Sequence, residues 1–570
     1  MKLTLLVVLL YFPLYCCAQF PQLASNLSAG SKSSVFGDMF AYNHKLLFSV
    51  DTSASPTIDL CITDGTPSGT RFLKKFDNGG SWAYGFTVCN NKAFFIEGDT
   101  IHGNELWVTD GTSAGTNMVK DIYSGPNDGV NSFLVSTGGM VYFVGSDSTH
   151  TRQLWKSDGT ASGTKLVVNL KSLPFGGIIS GNDPTGIAKL VVANNRLFFP
   201  VMDTNTLEED LWVSDGTAGG THLTAGITLG SQSIVQNLMV DGGKVFYNKG
   251  VPSNYPVTTV TTIFCVSDGT KFGTIKLKDN LLASSDYTLL GNKIFFYSTK
   301  IVNFSGQLAP YFSLSVSDGT VSGTSIIGDG VGSVCQYNTP LFLISFDNKL
   351  FFHNDYELND SDTAFTPGLW ISDGTTSGTR LLDGINWPAS LTVNGNYFYF
   401  LAYDLNTEIW GMWYSNGHAG GTHPMSYPGV NYFFPNSAYN GCVPFGPLTL
   451  VDDKIYYPII YDTSIGFELY SVPQATRVND VIAISSDMNI YPNPASNSFQ
   501  MKSQFDVAQS CDIDLLDITG RLVQHLMVNE KVQAGNIQFT FPVKDIANGI
   551  YLVRIQDAEK VQIQRLLISH

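Results

Sequence analysis

Positive charge is scarce in this chain, and so are cysteines, charged residues of any kind and long apolar runs. Lys and Arg number 32 against 48 Asp and Glu, a formal net charge of −16. That balance excludes nucleic acid and anionic membrane as main partners, because both need a basic footprint. Beyond the first two dozen residues no segment approaches the ~20 apolar residues of a membrane span, so no transmembrane segment is expected in the mature chain. Two of the eight cysteines fall near the start; Cys61, Cys89, Cys265, Cys335, Cys442 and Cys511 are too dispersed for a disulfide scaffold and contain no CxxC pair for zinc or redox work.

Catalytic signatures are missing too. HExxH and a P-loop lysine do not occur, and GTSAG at Gly111 to Gly115, which fits GxSxG, is part of a repeated turn. Between residues 36 and 472 the arginines are Arg71, Arg152, Arg196 and Arg380, and three of these sit at repeated positions, which argues against a carboxylate-clamping arginine triad. His44, His222 and His423 also fall at repeated positions, and His102, His150 and His353 lie in variable loops without metal-ligand spacing. Glu105, Glu408 and Glu468 fall at or near one repeated position and read as strand-edge residues rather than a glycosidase pair.

What is present begins with a leader. Lys2, the apolar run Leu3 to Leu14 and Cys16-Cys17-Ala18 form a secretory signal over residues 1–18, with cleavage before Gln19. A lipoprotein reading lacks the small residue ahead of the cysteine, since Tyr15 precedes Cys16 and Cys16 precedes Cys17.

At 570 residues the chain exceeds one ordinary core, and it resolves into a repeat. Eight copies align: CITDGTPSGT, WVTDGTSAGT, WKSDGTASGT, WVSDGTAGGT, CVSDGTKFGT, SVSDGTVSGT, WISDGTTSGT and WYSNGHAGGT, spaced 43 to 57 residues apart. Each is preceded by a polar turn and an aromatic strand, as in NNKAFFIE or GNKIFFYS; a ninth such element, DDKIYYPI, is followed only by ELYSV. Two-residue Asn-Asn or Gly-Gly turns between β-branched and aromatic runs are hairpin signals. Four strands per ~50-residue unit match a propeller blade. The expectation is an all-β chain: a β-propeller over residues 36–472 with eight blades, seven or nine remaining open, and residues 19–35 offering a closing strand. Cys61 and Cys265 replace the repeated Trp and read as small fillers of a buried position.

The repeated acidic residue raises the question of chemistry. The pairs Asp64-Gly65, Asp110-Gly111, Asp158-Gly159, Asp215-Gly216, Asp268-Gly269, Asp318-Gly319, Asp373-Gly374 and Asn416-Gly417 recur around the whole array. The carboxylate suits an Asx-type turn and Gly supplies a positive φ, so the turns read as structural. No cofactor is expected. Calcium at these turns is the alternative; one carboxylate per turn falls short of its 6–8 oxygens. Variation is concentrated elsewhere, in GDTIHGN, MDTNTLEED, NKGVPSNYPVTTVTT, STKIVNFSGQLAPY and HNDYELNDSDTAFTPG, which read as loops between second and third strands. Loops on a rigid scaffold are where binding resides.

The residues Glu105, Leu106, Trp107, Asp110, Gly111, Thr112, Gly115 and Thr116 make the segment similar to the ELWxxDGT repeat of exported Bacteroidota proteins, a resemblance that implies a non-catalytic propeller. After a linker at 473–487, residues 488–570 carry YPNP, DITGR and NGIY in order. Tyr491, Pro492, Asn493, Pro494, Asp517, Gly520, Arg521, Asn548, Gly549 and Tyr551 resemble the type A C-terminal sorting domain of the type IX secretion system, a small Ig-like β-sandwich. That resemblance implies handling by the type IX machinery and passage through the periplasm to the cell surface or the medium. The functional expectation is a scaffold that binds a glycan or a surface protein. A propeller-based polysaccharide lyase or hydrolase and a structural surface-layer component are the alternatives.

Overall fold

The computed structural model describes residues 22–25, 35–51, 57–77, 82–170, 175–178, 190–229, 232–251, 262–304, 307–329, 343–354, 368–404, 409–424, 448–452, 454–459, 468–473, 488–505, 509–517, 522–544, 546–556 and 561–570. Two compact units divide the chain at Gln474 and Ala475.

In the first unit the local rule is the two-residue turn. Asn90 and Asn91 adopt φ of 49° and 58°, and Asn194 and Asn195 repeat those values. Two successive left-handed residues make the type I′ hairpin whose twist matches its flanking strands, which is why Asn and Gly fill these sites. Each turn joins an inner strand to a second strand such as Lys92–Asp99, whose interior is buried on both faces. Because neighbouring sheets cover both sides of it, this strand is a continuous apolar run rather than an alternating one.

The sheets of the first unit that follow one another along the chain are antiparallel meanders. The first sheet orders Val35–Tyr42, Lys45–Asp51, Thr57–Thr63 and Arg71–Asp77, and the second orders Tyr84–Cys89, Lys92–Asp99, Gly103–Thr109 and Asn117–Lys120. Further sheets follow over 135–168, 175–223, 234–279, 282–329, 343–383 and 386–424, the fourth having a fifth strand. The last combines Thr449–Val451, Lys454–Ile459 and Glu468–Pro473 with Gln22–Ser25, which pairs antiparallel to Glu468–Pro473.

Nine sheets therefore form the propeller among the described residues, one more than a count of complete DGT copies gives. The closing sheet takes its fourth strand from the N-terminal side, so it has no DGT turn to be counted. Separate apolar clusters fill the interfaces around the ring. Leu47, Leu60, Phe95 and Trp107 join the first two sheets, and Ala24, Phe48, Cys61 and Tyr456 join the last to the first. Trp107, Trp155, Trp212 and Trp370 each pack on the preceding sheet; Cys61 and Cys265 occupy the same buried place.

The second unit is a sandwich of a three-stranded and a four-stranded antiparallel sheet. Phe499, Met501, Ile513, Leu515, Val553 and Leu566 lie between them.

Candidate functional site

The DGT turns join third to fourth strands, so they lie at the same end of each sheet as the Asn-Asn turns. In the second copy Asp110 Oδ1 accepts the Thr112 amide at 2.9 Å and the Thr112 hydroxyl at 2.7 Å. Thr112 Oγ1 in turn accepts the Gly115 amide at 3.0 Å, and Thr116 donates to the Thr112 carbonyl at 2.7 Å. Gly111 takes φ of 85°, and a Cβ at Gly115 would stand 2.0 Å from Asp110 Oδ1, so the two glycines answer different demands. The Thr112 hydroxyl, then its amide, hold the Asp110 carboxyl below the usual carboxylate range.

The same bonds recur at Asp64, Asp158, Asp215, Asp268, Asp318 and Asp373. Asn416 keeps the backbone bond alone, accepting the His418 amide at 3.0 Å. The first glycine of each turn also faces the preceding sheet: a Cβ at Gly216 would lie 2.2 Å from Tyr142 Oη, and at Gly417 2.7 Å from a ring carbon of Phe351. The aromatic strand and the DGT turn are thus two halves of one contact between neighbouring sheets.

The opposite end carries the connections between second and third strands. STKIVNFSGQLAPY is not an irregular loop: Lys293–Phe304 and Gln307–Ser317 stay paired out to Phe304 and Gln307, making a hairpin that projects beyond the eight-residue strand of the second sheet. In the second and third sheets the connections are Asx turns. Asp99 Oδ1 accepts the amides of Ile101 and His102, and Asp147 Oδ1 those of Thr149 and His150, each at 2.7 to 2.8 Å. Each aspartate also meets its histidine Nδ1, at 2.8 Å in the first case and 2.9 Å in the second. His353, expected in a loop, lies in the strand Lys349–Asn354 and is buried, because that strand is covered on both sides.

Two buried polar features escaped sequence reasoning. Glu105, expected at a strand edge, is fully buried; its Oε1 accepts the Tyr123 amide at 3.1 Å and pins the connection to the third sheet. Burial pushes its carboxyl up to about 7, with Asp121 and Asp128 adding to the rise. Gln153 does the same work in the third copy, accepting the Leu170 amide at 2.6 Å. Glu408 lies outside the described residues, as does the side chain of Glu468.

The second feature is Lys249, 1% exposed, with Nζ at 2.8 Å from Glu208 and 2.6 Å from Asp210. At Glu208 the cost of burial is outweighed by Lys249 and other donors, so its carboxyl falls; at Asp210 burial wins and the carboxyl rises. A lysine near the end of an apolar strand, one repeat after the run Glu208-Glu209-Asp210, was the available signal.

Among the described residues no group of three or more His, Cys, Asp or Glu side chains is placed to hold a metal ion. Cys61, Cys89 and Cys265 are buried free thiols, Cys511 is buried, and Cys335 and Cys442 lie outside the described residues.

In the C-terminal unit the sorting-type residues converge on the strand Val561–Ile568 and the residues after it. Asn493 Oδ1 accepts the Leu567 amide and Asn548 Oδ1 the His570 amide, both at 2.8 Å. Tyr551 donates to the Ala547 carbonyl at 2.9 Å and stands opposite Asp517 in the ladder. Lys502 Nζ lies 5.3 Å from the Tyr491 ring centre, within cation–π range. Pro492 and Pro494 both follow cis peptide bonds, and Gly549 opens the strand Gly549–Gln556. Gly520 and Arg521 lie outside the described residues.

No curated protein matches the chain. Among solved structures, it is similar to the β-propeller domain of the trilobed protease from Pyrococcus furiosus, at 12% identity and a TM-score of 0.32, covering 72% of this chain and 99% of that one. It is also similar to Saccharomyces cerevisiae Sqt1, at 10% identity, a TM-score of 0.37, and coverage of 71% and 98%. For the acylaminoacyl peptidase of Pyrococcus horikoshii the values are 13% and 0.32; the match covers 75% of this chain and 58% of that one. The propeller architecture stands on the nine sheets and their closure rather than on these similarities. Residues 489–569 match the family described as secretion system C-terminal sorting domain, which supports export by the type IX route.

Proposed function

We propose that this chain is an exported β-propeller that binds a polysaccharide or a surface-protein ligand through the end carrying its second-to-third-strand connections. Its C-terminal unit delivers it across the outer membrane through the type IX machinery, to the cell surface or the medium. The observation that supports this reading is the asymmetry of the sheet ends. One end repeats a single turn whose aspartates are occupied by their own threonines. The other end differs from sheet to sheet, from Asx turns to a projecting hairpin. A rigid ring presenting dissimilar connections suits recognition, and Tyr, Asn, Asp and Ser in them suit glycan or protein contact.

The test is a glycan-array and polysaccharide-degradation screen on the exported chain, with product analysis beside binding. Binding without new reducing ends or unsaturated sugars supports the scaffold reading. Released fragments would replace it with a lyase or hydrolase. Self-association without any soluble ligand would replace it with a surface-layer component. For delivery, a chain lacking residues 488–570 should stay within the cell envelope while the full chain reaches the surface or the medium.

A further inference from the structure

We propose that the second sheet of the propeller binds a hard divalent cation, Ca²⁺ in the first instance, between the carboxylates of Glu105 and Asp121. The site is distinct from the DGT turns, whose aspartates are already engaged by their threonines.

Glu105 is fully buried, and while its Oε1 takes the Tyr123 amide, its Oε2 has no hydrogen-bond partner. Buried Oδ1 of Asp121 has none either. Leu106 and Lys120 are ladder partners, so Glu105 and Asp121 face each other one step further along, and the charge of Asp121 acts on Glu105. No hydrogen bond satisfies either of these two oxygens, and an ionised carboxylate only accepts. Asp128, whose charge also reaches Glu105, offers no relief, and its Oδ1 accepts the Asn104 amide. His102, the nearby basic group, holds Asp99 through Nδ1 at 2.8 Å.

The other sheets serve as internal controls for this cross-strand pair. In the first sheet it is Asp59 opposite Lys75, acid facing base. In the third, where Leu154 and Val168 set the same register, the pair becomes Gln153 and Asn169, and both charges are gone. In the fourth, Asp210 receives Lys249 of the fifth sheet at 2.6 Å. The fifth and sixth place Ile263 and Ser313 opposite Asp279 and Asp329, a single acid each. Among these sheets only the second sets two carboxylates face to face, and although the Tyr123 and Ile122 amides serve Glu105, no lysine is paired with either carboxylate and Glu105 Oε2 and Asp121 Oδ1 stay without a hydrogen-bond partner. A bound cation fulfils the missing role. Ca²⁺ takes oxygen ligands from mono- or bidentate carboxylates, carbonyls and water, and a site with two carboxylates belongs with weak extracellular modules, Kd on the order of 10⁻⁴ to 10⁻³ M.

The experiment uses the full exported chain, stripped with chelator, titrated with CaCl₂ by calorimetry and by thermal unfolding. The double variant Glu105→Gln, Asp121→Asn transplants the third sheet's pair. The expected result is saturable Ca²⁺ binding that raises Tm in the wild type. In the variant, which should unfold at the same temperature or higher in chelator, apparent affinity falls at least about tenfold. Should the double variant not fold, Glu105→Gln alone, which keeps the acceptor for Tyr123, is read the same way. The proposal is overturned if about 20 mM Ca²⁺ leaves the wild type unchanged, well above the expected Kd. A variant that responds as the wild type does, or an equal response to NaCl at matched ionic strength, overturns it as well.

Discussion

Lys454 Nζ donates to the carbonyl of Asp64 at 2.7 Å, joining the last sheet to the DGT turn of the first across 390 positions of sequence. The same seam holds His44 against Asp452 at 2.8 Å and Ala24 within the cluster of Phe48 and Tyr456. Removing Gln22–Ser25 should therefore strip an edge strand from the ladder and open the buried site of Ala24. The expected loss is at least about 2 kcal/mol, read as a lower denaturant midpoint, since cavity and unpaired-backbone costs combine. An unchanged midpoint would mean that closure does not depend on this strand.

The repeat turn separates charge from shape. Asp110→Ala should lower stability by about 1 kcal/mol through its lost hydrogen bonds. Asp110→Asn should be milder, because Asn416 already serves in the eighth copy with its Oδ1 on a backbone amide. Gly115→Ala should be worse than either, about 1–3 kcal/mol, since the added carbon would meet the aspartate at 2.0 Å. Thermal unfolding of the three variants gives the ranking; an Ala at 115 as stable as wild type would remove the close-approach argument.

Glu97 supplies a pH signature. Burial, and then Asp99, push its carboxyl up to about 9 against the opposing pull of Lys74. A carboxyl raised in the folded state binds its proton longer than the unfolded chain does, so its contribution to stability declines as pH climbs from the ordinary glutamate range towards 9. Urea midpoints across that window should fall less steeply for Glu97→Gln than for the wild type. Parallel curves would show that Glu97 is not the group responsible.

Lys249 tests the cost of an unmatched buried charge. Lys249→Met removes the cation shared by Glu208 and Asp210, and breaking a buried pair from one side costs about 3–5 kcal/mol. Adding Glu208→Gln and Asp210→Asn to that variant should restore much of the loss, and a triple variant no better than Lys249→Met would refute the electrostatic explanation.

The repeating parts follow from local residue chemistry alone. Asn-Asn and Gly-Gly dictate I′ turns locally, D-G-T-x-x-G-T builds a turn whose bonds span few residues, and continuous aromatic runs announce strands covered on both faces. These are short-range requirements, so they stay legible without knowing the fold. The sorting-type motifs of the C-terminal unit were legible for the same reason, although the bond from Asn493 to Leu567 spans 74 positions and was not. Tertiary structure decided what depends on distant partners. The ring took nine sheets because Gln22–Ser25 found the strand Glu468–Pro473. Glu105 went inside because the connection to the next sheet needed an acceptor, and Lys249 followed because Glu208 and Asp210 had been buried beside it. A side chain's type records its own preferences; which neighbour satisfies them is settled only when the sheets close on one another.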